Sequence, residues 1–254
     1  MIHPSLLQLV IGSFIGVGAG YIGAFMILRR MALVGDALSH VALPGLALAL
    51  LLNFNPFYGA FATLFVAVIG VWALERKTSL SSETLVGIFF TTALALGILL
   101  TPEPELLEAL FGDISKVTLS DLYITVPAVL VMIAIVATIS KTLVLGTISK
   151  DLTQSMGLKI NQVNFVFLLL VALIVALGIK VTGTLLMGAL VIIPAAAARN
   201  ISVTFSRYAA AAAVFGGLTS IGGIWIAQQY GLNPGPMVVL AGGIIFLISL
   251  FFKK

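Results

Sequence analysis

The chain has 254 residues, 61% of them hydrophobic and only 9% charged, with a formal net charge of +4. Soluble domains carry roughly 25% charged residues, so composition excludes a water-soluble fold. Cysteine is absent, which removes disulfides and thiolate metal ligands.

An α-helix needs about 20 apolar residues to cross the hydrocarbon core. Reading apolar runs against their punctuation predicts nine candidate spans, at 5–28, 32–52, 56–74, 84–100, 121–140, 163–180, 182–198, 207–229 and 236–252. The fourth and seventh sit at the short limit. The expectation is therefore an all-α polytopic membrane protein of eight to nine transmembrane helices, with 1–254 forming one domain. In the first span Gly12, Gly16 and Gly20 recur every four residues, predicting a face where another backbone comes close. Gly216 and Ser220 offer a shorter version in the eighth. Residues 1–30 lack a basic n-region, and their apolar stretch is too long for a cleavable signal peptide.

Charge gives an expected orientation. With the N-terminus outside and each span reversing direction, eleven of the 13 lysines and arginines fall on the cytoplasmic side, leaving only Lys116 and Lys180 outside. That asymmetry is a strong positive-inside pattern, and it makes the C-terminus cytoplasmic. The acidic PEPELLE at 102–108 then lies outside. Glu103, Glu105 and Glu108, with Asp113 further on, are placed to attract cations or meet a partner; a merely solvated loop is the plainer reading. No lysine follows a glycine, so the phosphate-binding G-x-x-x-x-G-K-[ST] loop is absent. If ATP is used, another polypeptide hydrolyses it, and this chain is not expected to be an enzyme.

The second span contains GDALSHVALPG at 35–45, where Asp36 and His40 are the only ionisable residues. At a 1.5 Å rise, His40 lies roughly 13 Å above residue 31, near the membrane centre. An acidic side chain there costs about 2.5–3.5 kcal/mol on insertion scales, so it is expected to face protein or a water-filled path. Residues i and i+4 share a helix face, so a carboxylate oxygen and an imidazole nitrogen can converge on one ion. That mix suits Zn²⁺, Mn²⁺ or Fe²⁺. Pro44 cannot donate to the His40 carbonyl and predicts a bend beside it; Pro194 does the same for Leu190 in the seventh span. The competing reading is that Asp36 caps a helix that starts late, with His40 hydrogen-bonded to a neighbouring span.

Three segments carry a family resemblance. RRMALVGDALSHVALPGLALA at 29–49 resembles the signature segment of the permease subunits of manganese-, zinc- and iron-type ABC transporters. LFGDISKVTLSDL at 110–122 is similar to that family's outer segment, and GTLLMGALVIIPAAAARN at 183–200 to its late glycine- and proline-containing helix. The resemblance implies a homodimeric ABC importer permease in the cell membrane, served by two cytoplasmic ATPase subunits and an extracytoplasmic metal-binding protein. It implies no nucleic acid partner and no permanently bound cofactor; a divalent metal ion is carried. The family's metal-contacting aspartate and histidine map onto Asp36 and His40. The connection at 141–162 is similar to the family's coupling segment, which docks on the ATPase. Aligned on Gly157, this chain has Ser149 and Thr153 where an aspartate and an alanine are common, with Lys150 and Asp151 beside them. The alternative function is a proton-coupled secondary metal transporter using Asp36 and His40 as a relay, which needs no ATPase. A membrane scaffold without transport is a third, and would leave the pair dispensable.

Overall fold

The structure, a computed structural model, describes residues 4–100, 110, 112, 114 and 117–252, without the side chains of Lys150 and Leu185. The acidic outer candidates Glu103, Glu105, Glu108 and Asp113 lie outside the described residues, as do Lys116, Lys253 and Lys254. Ten helices follow one another among the described residues: α1 (Pro4–Leu28), α2 (Ala32–Val41), α3 (Leu43–Leu51), α4 (Pro56–Glu75), α5 (Ser82–Leu100), α6 (Leu119–Ile148), the short α7 (Lys150–Ser155), α8 (Ile160–Ile201), α9 (Phe205–Tyr230) and α10 (Pro234–Leu250). Among the described residues there is no strand.

Seven helices among the described residues are long and apolar enough to cross a membrane, with α2 and α3 counted together as Ala32–Leu51 and the first arm of α8 as Ile160–Thr184. Leu186–Ile201 and Pro234–Leu250 are apolar but shorter. All nine stretches read from the sequence are helical, with shifted ends. The largest shift is in α6, which runs on to Ile148 rather than stopping near 140.

The helix ends explain themselves locally. Thr118 caps α6 in a reciprocal box with Asp121, which satisfies two backbone donors at once. Asn55 and Asn233 accept from the amides of Phe57 and Gly235 at the starts of α4 and α10, each followed by a proline that needs no donor there. At the end of α1, Met31 N–H reaches the Met26 carbonyl and Arg30 N–H the Ile27 carbonyl. This is the paired C-terminal closure that needs a left-handed residue, and Arg30 supplies it at φ +58°.

α1 is the hub, packing on α6, α8 and α9. Its glycine face meets the small-residue face of α9. A Cβ on Gly16 would strike the Gly216 carbonyl and Ser220 Oγ, and one on Gly20 would strike the Ala212 carbonyl. The two small-residue patterns read from the sequence are thus opposite halves of one contact within the chain.

α8 turns back on itself. Along its first arm, Asn164 bonds Arg29, Phe167 packs by Phe25, and Ile174 and Val181 lie beside Gly18 and Gly12. That arm therefore runs antiparallel to α1. After Gly183 the order inverts: Met187 returns to Gly178, and Val191 and Ala195 press on Gly23. Gly183 alone makes the reversal, at φ 73° and ψ 174°, a region essentially closed to other residues. The Leu110 carbonyl and the Gly112 amide fill the space where its Cβ would stand, so these two residues pack directly on the turn. Through Pro194 the φ/ψ values stay helical.

Candidate functional site

α2 begins at Ala32 with Met31 before it, and no side chain caps it. Asp36 therefore sits in the second turn rather than at a helix start, which removes the capping explanation. The helix is unbroken from Asp36 to His40, so their four-residue spacing places both on one face. α2 ends at Val41 and α3 begins at Leu43 with Pro44 in its first turn. The break falls where the Pro44 ring would meet the His40 carbonyl, and the Ala42 amide turns toward that carbonyl.

The second arm of α8 holds α2 from one side. Ser39 Oγ lies 2.6 Å from the Asp36 carbonyl and 2.5 Å from the Thr184 carbonyl. With one proton it donates to either, which pins this turn of α2 to the residue after the Gly183 reversal. Gly188, one turn further along α8, backs directly onto Asp36. From the other side the His40 ring packs 5.4 Å from the ring of Phe90 on α5.

His40 is buried and Asp36 half-buried. The buried His40 Nδ1 and the nearby buried Thr184 Oγ1 have no hydrogen-bond partner among the described residues, so the imidazole is not bonded to a neighbouring span through that nitrogen. An unpaired buried polar atom costs about 1–3 kcal/mol; such groups persist where a ligand or ion completes them. Among the described residues no group of three or more His, Cys, Asp or Glu gathers anywhere. Asp36 and His40 are thus at most two candidate side-chain ligands at this place, fewer than the four of a closed structural zinc site.

At the end of the bundle beside the 110–117 segment, Lys180 Nζ pairs with Asp121 Oδ2 at 2.7 Å. The same oxygen accepts from the Thr118 amide, also at 2.7 Å. These two residues border an apolar cavity of about 120 Å³ that also touches Ile11, Leu46, Phe57 and Val181. Sequence reading misses this pair. Its only local signal is the T-x-x-D box at 118–121; the lysine is remote in the chain.

At the opposite end α7 follows α6 after a single residue. Ser149 caps it, accepting from the Leu152 amide at 3.1 Å, and Thr153 Oγ1 donates back to the Ser149 carbonyl at 2.7 Å. Thr153 is only 1% exposed, so a small side chain fits there, with its hydroxyl satisfied by the Ser149 carbonyl. Gly157 ends the segment at φ +76°. Lys150 and Asp151 form the first turn of α7. Leu152 and Met156, 54% and 60% exposed, project apolar side chains from it, a feature the sequence does not flag.

Residues 4–253 match the model of the ABC 3 transport family. The chain is 34% identical to the high-affinity zinc uptake system membrane protein ZnuB of Haemophilus influenzae, covering 100% of this chain and 98% of that protein. It is 31% identical to the manganese transport system membrane protein MntC of Listeria monocytogenes, covering 99% and 92%. The solved structure of PsaBC from Streptococcus pneumoniae in complex with Fab is similar with a TM-score of 0.87 at 30% identity, covering 100% of this chain and 93% of that one.

Proposed function

The chain belongs to the ABC 3 transport family, and on that premise we propose that it is the permease subunit of a bacterial ABC importer carrying manganese or zinc inward. It is a multi-pass protein of the cell membrane and not itself an enzyme; ATP hydrolysis resides on partner subunits. The observation that supports the metal site is the Asp36–His40 pair: one face of one helix, with a buried imidazole nitrogen that has no hydrogen-bond partner among the described residues.

The finer reading has nine crossings, the N-terminus outside and the C-terminus in the cytoplasm. The turn-back at Gly183 supports counting α8 as two crossings. Two copies meet with their α2 faces near the twofold axis, so that two aspartates and two histidines can surround one ion. Two ligands per chain hold it weakly enough to let it leave. Pro44 shapes the helix break beside His40, and Pro194 lies on the arm that backs α2. An extracytoplasmic binding protein delivers the ion, and α7 docks into the ATPase, with Leu152 and Met156 as its apolar contacts and Ser149, Lys150, Asp151, Thr153 and Gly157 shaping the segment. The relatives divide between manganese and zinc at similar identity, and both ions accept carboxylate and imidazole.

The test is uptake by proteoliposomes holding the permease, its ATPase and its binding protein, with Mn²⁺ and Zn²⁺ in competition. Asp36→Ala and His40→Ala are expected to abolish metal accumulation while the complex still assembles. Normal uptake in both variants removes the site. Uptake by the permease alone, driven by a pH gradient without ATP, favours the secondary-transporter reading instead.

A further inference from the structure

We propose that Arg29 is a positioning residue that links the ATPase-facing end of α8 to the helix carrying Asp36 and His40, so that ATP-driven movement of α7 reaches the metal pair through the Arg29–Asn164 contact. The proposal rests on the importer reading above and deepens it by naming a coupling element.

Arg29 occupies the short turn between α1 and α2, seven residues before Asp36. Its Nη2 donates to Asn164 Oδ1 at 2.7 Å, and its guanidinium lies over the Phe167 ring, 5.4 Å from the centroid. Asn164 is 6% exposed and Phe167 fully buried. Burial pushes the Arg29 guanidinium below its ordinary pKa, and the Glu75 carboxylate at the end of α4 opposes that. A desolvated guanidinium with a bond in its plane and a ring on its face is held in one orientation. Lysine, a point charge on a flexible stem, cannot reproduce both contacts.

Both ends of the link are anchored. Arg30 takes a left-handed φ of +58° and the backbone closure on Met26 and Ile27 ties the turn to α1, so Arg29 cannot swing independently of the start of α2. On the other side, Asn164 is in the second turn of α8, which follows α7 after residues 156–159. Ile160 fills the space beside Gly146 near the end of α6, so α7 is bracketed by two packed helices. Displacement of α7 must carry the first turns of α8 with it. Those turns meet the entrance of α2 at the Arg29 side chain.

The experiment measures metal entering and ATP hydrolysed in the same proteoliposomes, with the whole transporter and its binding protein present. Arg29→Lys keeps the positive charge that orients the chain, and Asn164→Ala removes the acceptor without touching the arginine. Each is expected to lower metal moved per ATP by about fivefold or more. The double variant is expected to equal Arg29→Lys, because the contact that Asn164→Ala removes is already lost in it. If Arg29→Lys fails to assemble, Asn164→Ala reads the same ratio. An unchanged ratio, a proportional fall in uptake and hydrolysis, or independent effects in the double variant overturns the proposal while the importer reading stands. Absence of ATP-driven uptake in the unaltered protein overturns both.

Discussion

Gly188 stands so close to Asp36 that a Cβ on the glycine would lie 2.5 Å from the carboxylate Oδ1 and 2.7 Å from the aspartate Cα. The glycine on α8 is therefore what allows an acidic side chain on α2 to occupy its position between two helices. Gly188→Ala forces that carboxylate or the helix behind it to move. Overpacking of this kind costs about 1–3 kcal/mol. The expected outcome is a transporter that assembles but takes up metal with reduced affinity, about tenfold for each 1.4 kcal/mol lost at the site. Initial uptake rates against metal concentration check this, and unchanged rates would separate Gly188 from the metal pair.

Gly183 and Gly157 both have positive φ, but their surroundings differ. At Gly183 the Leu110 carbonyl and Gly112 amide occupy the Cβ position, while at Gly157 nothing lies within 4 Å of it. Gly183→Ala thus adds steric collision to a backbone strain of about 1–3 kcal/mol, whereas Gly157→Ala carries only the left-handed cost of about 1–2 kcal/mol. Thermal unfolding in detergent should show a markedly larger loss for the first.

Leu152 on the six-residue α7 and Met156 just after it expose apolar surface, while Thr153 fixes the other face of the helix. Leu152→Glu is expected to abolish co-purification of the ATPase and leave permease stability within about 0.5 kcal/mol, as for other surface changes. Thr153→Ala loses one hydrogen bond, about 1 kcal/mol, and retains ATPase binding. Pull-down with the ATPase subunit distinguishes the two; retention of the ATPase by Leu152→Glu would show that docking lies elsewhere.

Asp121 Oδ2 accepts from three donors, the Thr118 amide, the Thr118 hydroxyl and Lys180 Nζ. Lys180→Met keeps the cap and removes the ion pair; Asp121→Ala removes both. The second variant should be the less stable by about 1 kcal/mol, the typical worth of a cap. Equal melting temperatures for the two would mean that the cap contributes nothing beyond the pair.

What the sequence reveals here depends on contrast. Asp36, His40 and Pro44 stand out because ionisable groups and prolines are costly within apolar helices; the structure puts a helix break between His40 and Pro44 and leaves His40 Nδ1 without a hydrogen-bond partner among the described residues. The glycine spacing in α1 is legible for the same reason, since repetition at one helical period has a geometric meaning. Leu152 and Met156 carry no such contrast, because leucine and methionine are the background of a membrane protein. The reversal itself is read from the sequence as the break between the spans at 163–180 and 182–198, but its hinge at Gly183 is hidden: no polar loop marks it, and a glycine among other small residues looks ordinary until its φ/ψ is known. Lys180 with Asp121 and Arg29 with Asn164 are pairings across 59 and 135 residues, which a single sequence cannot match.

The facing backbones of α1 and α9 set a rule for building chimeras from related chains. Gly16 lies against Gly216 and Gly20 against Ala212 with no side chain between them, so each helix is cut to the surface of the other. Transplanting one of them alone brings a foreign Cβ against a main-chain carbonyl, and no rotamer change can relieve that clash. The two helices are therefore a single heritable module, and hybrid permeases should exchange both or neither.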